Sequence, residues 1–391
     1  MAIDFDKVID RSDNYSAKWE EIEENFGSAD ALPFWVADMD FKSPEPVIEA
    51  LEERAKQGIY GYTIRPESYN QAIIDWFNKR HDWNIKADWI NYSPGIVPAL
   101  SFLIRSLANR GDKVLIQPPV YYPFYNVIEK NGCHVTKNSL SLEDGHYEID
   151  FDDFEEKAKD PRVKIFILCS PHNPVGRVWT EEELERIGNI CLENNITVIS
   201  DEIHCDLVYS GNQHTPFASI SEDFAQNSIT CIAPSKTFNL AGLQASSIVI
   251  PNEEIRKEFT NMIETFDLKR NNAFSAVAVE TAYTEGEEWL DSLLEYLEDN
   301  LTFLEDFFKK EIPEVEVIHP EGTYLVWLDF RELGMTPEEL EDFMIEEANV
   351  ALDHGNWFGP EGNGFERINI ACPRSLLKDG LERIRDAVKK L

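Results

Sequence analysis

No run of about 18 apolar residues occurs anywhere in the 391-residue chain, so no segment reads as a membrane-spanning helix. The opening stretch, MAIDFDKVID, lacks a basic segment followed by an apolar one, and a soluble, cytoplasmic protein is expected. Cysteine is sparse: Cys133, Cys169, Cys191, Cys205, Cys231 and Cys372 are scattered, and none falls in the close pairs that hold zinc. Several lie inside apolar runs, which fits buried thiols in a reducing compartment. His204 and Asp206 are two apart but have no further ligand clustered with them, and no metal is expected. Positive charge is scarce as well, with 36 lysines and arginines against 73 acidic residues and a net charge of −37. Such a surface repels phosphates, which excludes nucleic acid and anionic membranes as partners. The acidic residues are spread through helical stretches such as TEEELERIGN, as on a solvated surface, and a salt-tolerant source would fit them. Internal repeats, low-complexity tracts and Pro/Ser-rich linkers are absent too.

What is present is ordinary globular composition, 43% hydrophobic with nine tryptophans, in a chain long enough for two domains. Between about residues 90 and 250, short apolar runs alternate with helix-like segments. KVLIQ, VKIFILCS, ITVIS and SITCIAP read as strands, and TEEELERIGNICLENN reads as a helix between two of them. This alternation predicts an α/β fold, a mostly parallel central sheet with helices on both faces. Residues 287–312 read as a long helix, and TYLVWLDF and ERINIA as strands of a smaller C-terminal α+β unit, on which the N-terminal fifty residues are expected to pack.

Ligands of parallel sheets bind beyond the carboxyl ends of the strands, and polar residues collect at those ends here. VKIFILC is followed by SPHNPVG with Asn173, ITVIS by DEIHCD with Asp201, and SITCIA by PSK with Lys236. Taken singly, NPxG is commonly a turn and a strand-end aspartate a helix cap. Together they bring an amide, a carboxylate and an amine to one crevice. A lysine directly after an apolar strand is out of place unless its amine has a task.

In this order and spacing the motifs resemble the fold-type I pyridoxal-phosphate (PLP) enzymes of the aminotransferase class I/II family, from about Trp35 to Arg374. FWVADMDF, YGYT, PPVYYPF, SPHNPVG, SDEIHCD, APSKTFNLAGLQ and ERINIACPR are similar to the MalY/PatB-like cystathionine beta-lyase subgroup of carbon–sulfur lyases. The resemblance implies that residues 57–286 form a large PLP-binding domain and 287–391 a small C-terminal domain, with segment 1–56 packing on the small one. It implies that Lys236 forms the internal Schiff base with PLP and, once displaced, removes the substrate's α proton, a task that a desolvated, lowered pKa suits. Asp201 corresponds to the carboxylate that keeps the pyridine nitrogen protonated, and Asn173 to the amide that bonds the cofactor's phenolic oxygen. Tyr121 corresponds to the aromatic stacked on the ring, with Tyr122 as competitor. The amides of Ile96 and Val97, in SPGIVPAL, are suited to hold the phosphate at a helix start, with the Ser235 hydroxyl beside them. Tyr62 resembles a tyrosine that reaches the phosphate and substrate from a neighbouring subunit, which implies a homodimer with shared active sites. Arg367 corresponds to the arginine that grips the substrate's α-carboxylate with its planar fork.

Two positions depart from the aminotransferases. His204 stands where they place a tyrosine three residues after the aspartate, and Gln244 where they carry an arginine eight residues after the lysine. Both departures are shared with the lyase subgroup. The expected activity is therefore α,β-elimination from L-cystathionine or related cysteine conjugates, giving pyruvate, ammonia and a thiol. The rivals are a class I/II aminotransferase and a PLP-binding regulatory protein with little turnover. Trp35, Asp38 and Arg374 receive no chemical role.

Overall fold

The computed structural model describes residues 3–391. Among these, seven strands form one sheet in the order Ile90–Ser93, Ser246–Val249, Ser228–Ile232, Thr197–Asp201, Val163–Cys169, Lys113–Ile116 and His134–Lys137. Ser246–Val249 runs antiparallel to both neighbours, and every other pairing is parallel. The predicted α/β sheet is thus observed, with one reversed strand. Strand Ser228–Ile232 is buried at every position, as a sheet covered on both faces requires. Successive side chains point to opposite faces. Ile165 and Ile167 therefore join a core with Leu100, Leu103 and Ile104, while Phe166 and Leu168 join Leu184, Ile187 and Phe154 on the other side.

Helix Glu181–Glu193 illustrates how local sequence sets the element. Thr180 accepts from the Glu183 backbone N–H and the Glu183 carboxylate accepts from Thr180 N–H, a reciprocal cap that fixes the start. Leu184, Ile187 and Cys191 then fall on one buried face.

A second, antiparallel sheet has the order Glu316–Ile318, Leu325–Asp329, Phe365–Asn369, Asp353–His354. The long helix Glu287–Glu311 belongs to this unit and buries Leu290, Leu293, Leu297, Leu301 and Leu304 along one stripe. The N-terminal segment is divided between the two units. Leu32–Pro33 pairs with Val350–Ala351, and Phe34 carbonyl accepts from Asn369 N–H at 3.0 Å, so this part lies on the small unit. Helix Glu45–Lys56 instead packs against Ser275–Glu285. Residues 1 and 2 of the expected 1–56 segment lie outside the described residues. No helix among the described residues is long and apolar enough to cross a membrane.

Candidate active site

The carboxyl ends of three adjacent parallel strands open on a cavity of about 220 Å³. Asp201 is the last residue of its strand, Asn173 lies in the loop after Cys169, and Lys236 sits in the short helix Pro234–Thr237 that follows Ile232. Their side chains line the cavity together with Tyr121, His204, Ser235, Ile96 and Val97. The sheet thus brings together residues that are up to 140 positions apart, counting from Ile96 to Lys236. Arg367 reaches the same place from the small unit, donating from Nη1 to Asn173 Oδ1 at 3.0 Å.

Lys236 Nζ donates to the Ala37 carbonyl at 2.7 Å. Burial, reinforced by the charge of Arg367, brings the ammonium pKa down to about 8, against the pull of Asp38, Asp201 and Asp353. Asp201 is pushed up to about 7 by burial, although its Oδ1 accepts from Ile203 N–H at 3.3 Å and Lys236 favours its charge. A carboxylate so poorly solvated calls for a cationic donor. His204 is buried, and burial together with the charges of Lys236 and Arg367 holds its pKa well below the ordinary value. The ring therefore stays neutral, and its Nδ1 has no hydrogen-bond partner.

Asn173 has its oxygen engaged by Arg367, which leaves the NH₂ end to donate into the cavity. Its backbone carbonyl accepts from Tyr121 N–H at 3.1 Å and so fixes the aromatic beside it. Of the two tyrosines in VYYPF, Tyr121 lines the cavity, while Tyr122 packs edge-on against Trp357 and Phe358. Helix Ile96–Leu107 begins at Gly95 without a side-chain cap, so its first amides face the cavity beside Ser235. Gln244 also lines the cavity.

Other residues singled out in the sequence lie elsewhere. Tyr62 is 97% exposed on the loop before helix Glu67–His81 and does not reach this chain's own cavity. Arg374 starts the last helix, where its Nε donates to Asn300 Oδ1 at 2.6 Å. Asp206 points away from the cavity and accepts from Trp76, His81 and Thr237. His81, Cys205 and Asp206 lie close together, but these hydrogen bonds already engage both Asp206 oxygens.

Three features had no role assigned from the sequence. The Ala37 and Trp35 carbonyls hold Lys236 and Arg367 respectively, the latter at 2.6 Å from Nη2, and a backbone contact leaves no trace in residue type. Asp38 and Asp40, in the same WVADMD segment, are held by Arg11 and the fully buried Lys18. Asp353, on a strand two residues long, pairs with Arg367.

A largely parallel sheet with a small antiparallel unit and a lysine, aspartate and asparagine at its strand ends defines a fold-type I α/β enzyme architecture. The chain belongs to the aminotransferase class I and II family, which it matches over residues 30–384. Within that family it is similar to the MalY/PatB-like carbon–sulfur lyases. It is 48% identical to cystathionine beta-lyase PatB of Bacillus subtilis (strain 168), over 99% of this chain and 100% of the relative. The structure of cystalysin from Treponema denticola, which contains a pyridoxal 5'-phosphate cofactor, superposes with a TM-score of 0.97 at 40% identity, covering 100% of both chains. The PLP-bound C-S lyase from Staphylococcus hominis superposes at 0.93 with 38% identity, covering 99% of this chain and 98% of that one.

Proposed function

We propose that the chain is a PLP-dependent carbon–sulfur β-lyase of the cystathionine beta-lyase type, converting L-cystathionine or related cysteine conjugates and water to pyruvate, ammonia and a thiol. The observation that carries this reading is the convergence of Lys236, Asp201 and Asn173 on one cavity, with Arg367 hydrogen-bonded to Asn173, in a chain 48% identical to a cystathionine beta-lyase. The donor set fits PLP. Asp201 is a desolvated acceptor for a protonated ring nitrogen, the free NH₂ of Asn173 suits a phenolic oxygen, and the uncapped amides of Ile96 and Val97 with Ser235 suit a phosphate. Tyr121 supplies an aromatic face. When bound, PLP supplies an electrophilic carbon for an amine and a ring that accepts the electron pair left at the substrate's α-carbon.

The protein's own groups account for the rest. Arg367 takes the substrate's α-carboxylate and thereby fixes which bond at the α-carbon faces Lys236. The neutral Nζ of Lys236, available because its pKa is lowered, takes the α proton, and the ammonium so formed can protonate the departing thiolate. Neutral His204 and Gln244 add no charge to the cavity, where the aminotransferase pattern has a tyrosine and an arginine. We also propose that two chains form a homodimer in which Tyr62 completes the partner's site; its 97% exposure in a single chain supports this.

The test is product analysis of the PLP-loaded protein given L-cystathionine, with and without an added keto acid. Pyruvate and thiol in equal amounts without keto acid are expected. Turnover that requires the keto acid and releases no thiol would make the protein an aminotransferase.

A further inference from the structure

Arg367, the proposed grip for the substrate carboxylate, already has a carboxylate partner. Its Nη2 group donates to Asp353 Oδ2, and both side chains are 2% exposed. The pairing follows from register, because strand Asp353–His354 lies antiparallel beside Phe365–Asn369 with Asp353 opposite Arg367. Both members carry an unsatisfied buried atom: Asp353 Oδ1 and Arg367 Nε have no hydrogen-bond partner among the described residues. A buried pair built only for support satisfies its remaining valences, since each unpaired polar atom costs free energy. This one leaves an oxygen and an N–H spare in a pair that Arg367 ties to the cavity-lining Asn173.

The charged and titratable groups that act on Asp353 come from several elements. Arg367 faces it from the neighbouring strand, and the charge of Lys236 also favours its ionised form. Tyr121 and Tyr122 face it from the start of helix Pro123–Lys130. His354, next in sequence, is held by Glu366 at 3.0 Å. Burial dominates among these influences and holds the Asp353 carboxyl above its ordinary range, despite the cations.

We propose that Asp353 is a positioning residue that keeps Arg367 in a resting ion pair, and that binding of a substrate α-carboxylate to the same guanidinium is coupled to protonation of Asp353. The inference rests on the reading of Arg367 given under Proposed function. Two carboxylates on one guanidinium in a desolvated site repel each other, and the cheapest relief is a proton on one of them. The substrate carboxylate keeps its charge and the bond to Arg367, while solvent delivers one proton to Asp353. No covalent bond of the substrate changes.

The experiment uses propanoate, which offers a carboxylate but neither an amine for the cofactor nor a leaving group. Its Ki against L-cystathionine is measured on the PLP-loaded protein between about pH 6 and about pH 9, where coupled uptake of one proton predicts a Ki rising up to tenfold per pH unit. In Asp353→Asn the slope is expected to vanish and propanoate to bind tighter at the alkaline end by the same factor through which the Ki of the unaltered protein has risen across the range. A pH-independent Ki in the unaltered protein overturns the proposal. So does an Asp353→Asn protein that binds propanoate more weakly at every pH with the slope retained, the result of simple structural support. Should Asp353→Asn fail to fold, calorimetry of the unaltered protein in two buffers of different ionisation enthalpy counts the protons taken up per propanoate. One is expected, and none overturns the proposal. Arg367→Gln separates the two readings: undiminished propanoate inhibition in that variant removes Arg367 as the carboxylate site, whatever Asp353 does.

Discussion

Lys236 and Asp201 occupy the same desolvated cavity, yet burial acts on them in opposite senses, lowering the pKa of the amine to about 8 and raising that of the carboxyl to about 7. For the lysine the consequence is kinetic. Only the neutral amine attacks a carbonyl, so PLP uptake by cofactor-free protein should quicken about tenfold per pH unit below about pH 8 and level off above it. Rapid-mixing absorbance at a series of pH values checks this; a rate still climbing at about pH 10 would mean an unshifted lysine. For the aspartate the consequence is thermodynamic. Its folded pKa lies above its unfolded one, so in cofactor-free protein the native state holds the extra proton between about pH 4 and about pH 7, and stability falls as pH rises through that window. The full shift corresponds to roughly 4 kcal/mol. Asp201→Asn should remove that part of the slope in urea unfolding of the PLP-free protein, and should weaken PLP binding; an unchanged slope refutes the assignment. Both residues were legible in the sequence because Asp201 ends a strand and Lys236 follows one by four residues, where a charged group is conspicuous against apolar neighbours. Asp353 was not, since its importance comes from a cross-strand register within a two-residue strand.

Among the elements, the segment Trp35–Asp40 joins fold to site. It carries the carbonyls that hold Lys236 and Arg367, and it is fastened from outside by Arg11 and Lys18. Lys18 Nζ lies 2.6 Å from Asp40 Oδ2 with both side chains nearly inaccessible to water. Removing one partner of such a pair leaves a buried charge uncompensated. Arg11 and Trp19 also bond Asp40 and will soften the loss, so Lys18→Ala should cost about 3 kcal/mol, at the low end for a broken buried pair. The same substitution should reduce turnover, because the carbonyls that position Lys236 and Arg367 lose their anchor. Urea unfolding and steady-state kinetics on one preparation read both effects; lost stability with normal turnover would mean that the segment does not position the two side chains. The helices and strands of the large sheet were legible from periodicity, whereas this irregular segment was recognisable only as a motif. Its work is done through backbone oxygens, and the residues that tie it down lie about 20 to 30 positions away in sequence.

For the whole molecule, two features pull against each other. Ile59, Tyr60, Tyr62 and Ile64 form an exposed apolar strip, 57–97% accessible, on a chain of net charge −37. Apolar exposure of this kind favours association, and like charge opposes it over a distance set by salt. Sedimentation should therefore show the proposed dimer tightening as salt rises from about 0.01 to about 0.5 M. If Tyr62 serves the partner's site, the two defects Lys236→Ala and Tyr62→Ala should complement each other in a mixed dimer. Each mixed dimer has one site with both defects and one site with neither. Random re-pairing of equal amounts makes half of the dimers mixed, so about a quarter of the unaltered activity should return. The necessary controls are the two variants alone, each expected to be far below that level. Mixing that restores nothing, with dimers confirmed by sedimentation, would confine each active site to a single chain and leave the exposure of Tyr62 to be explained by packing between subunits alone.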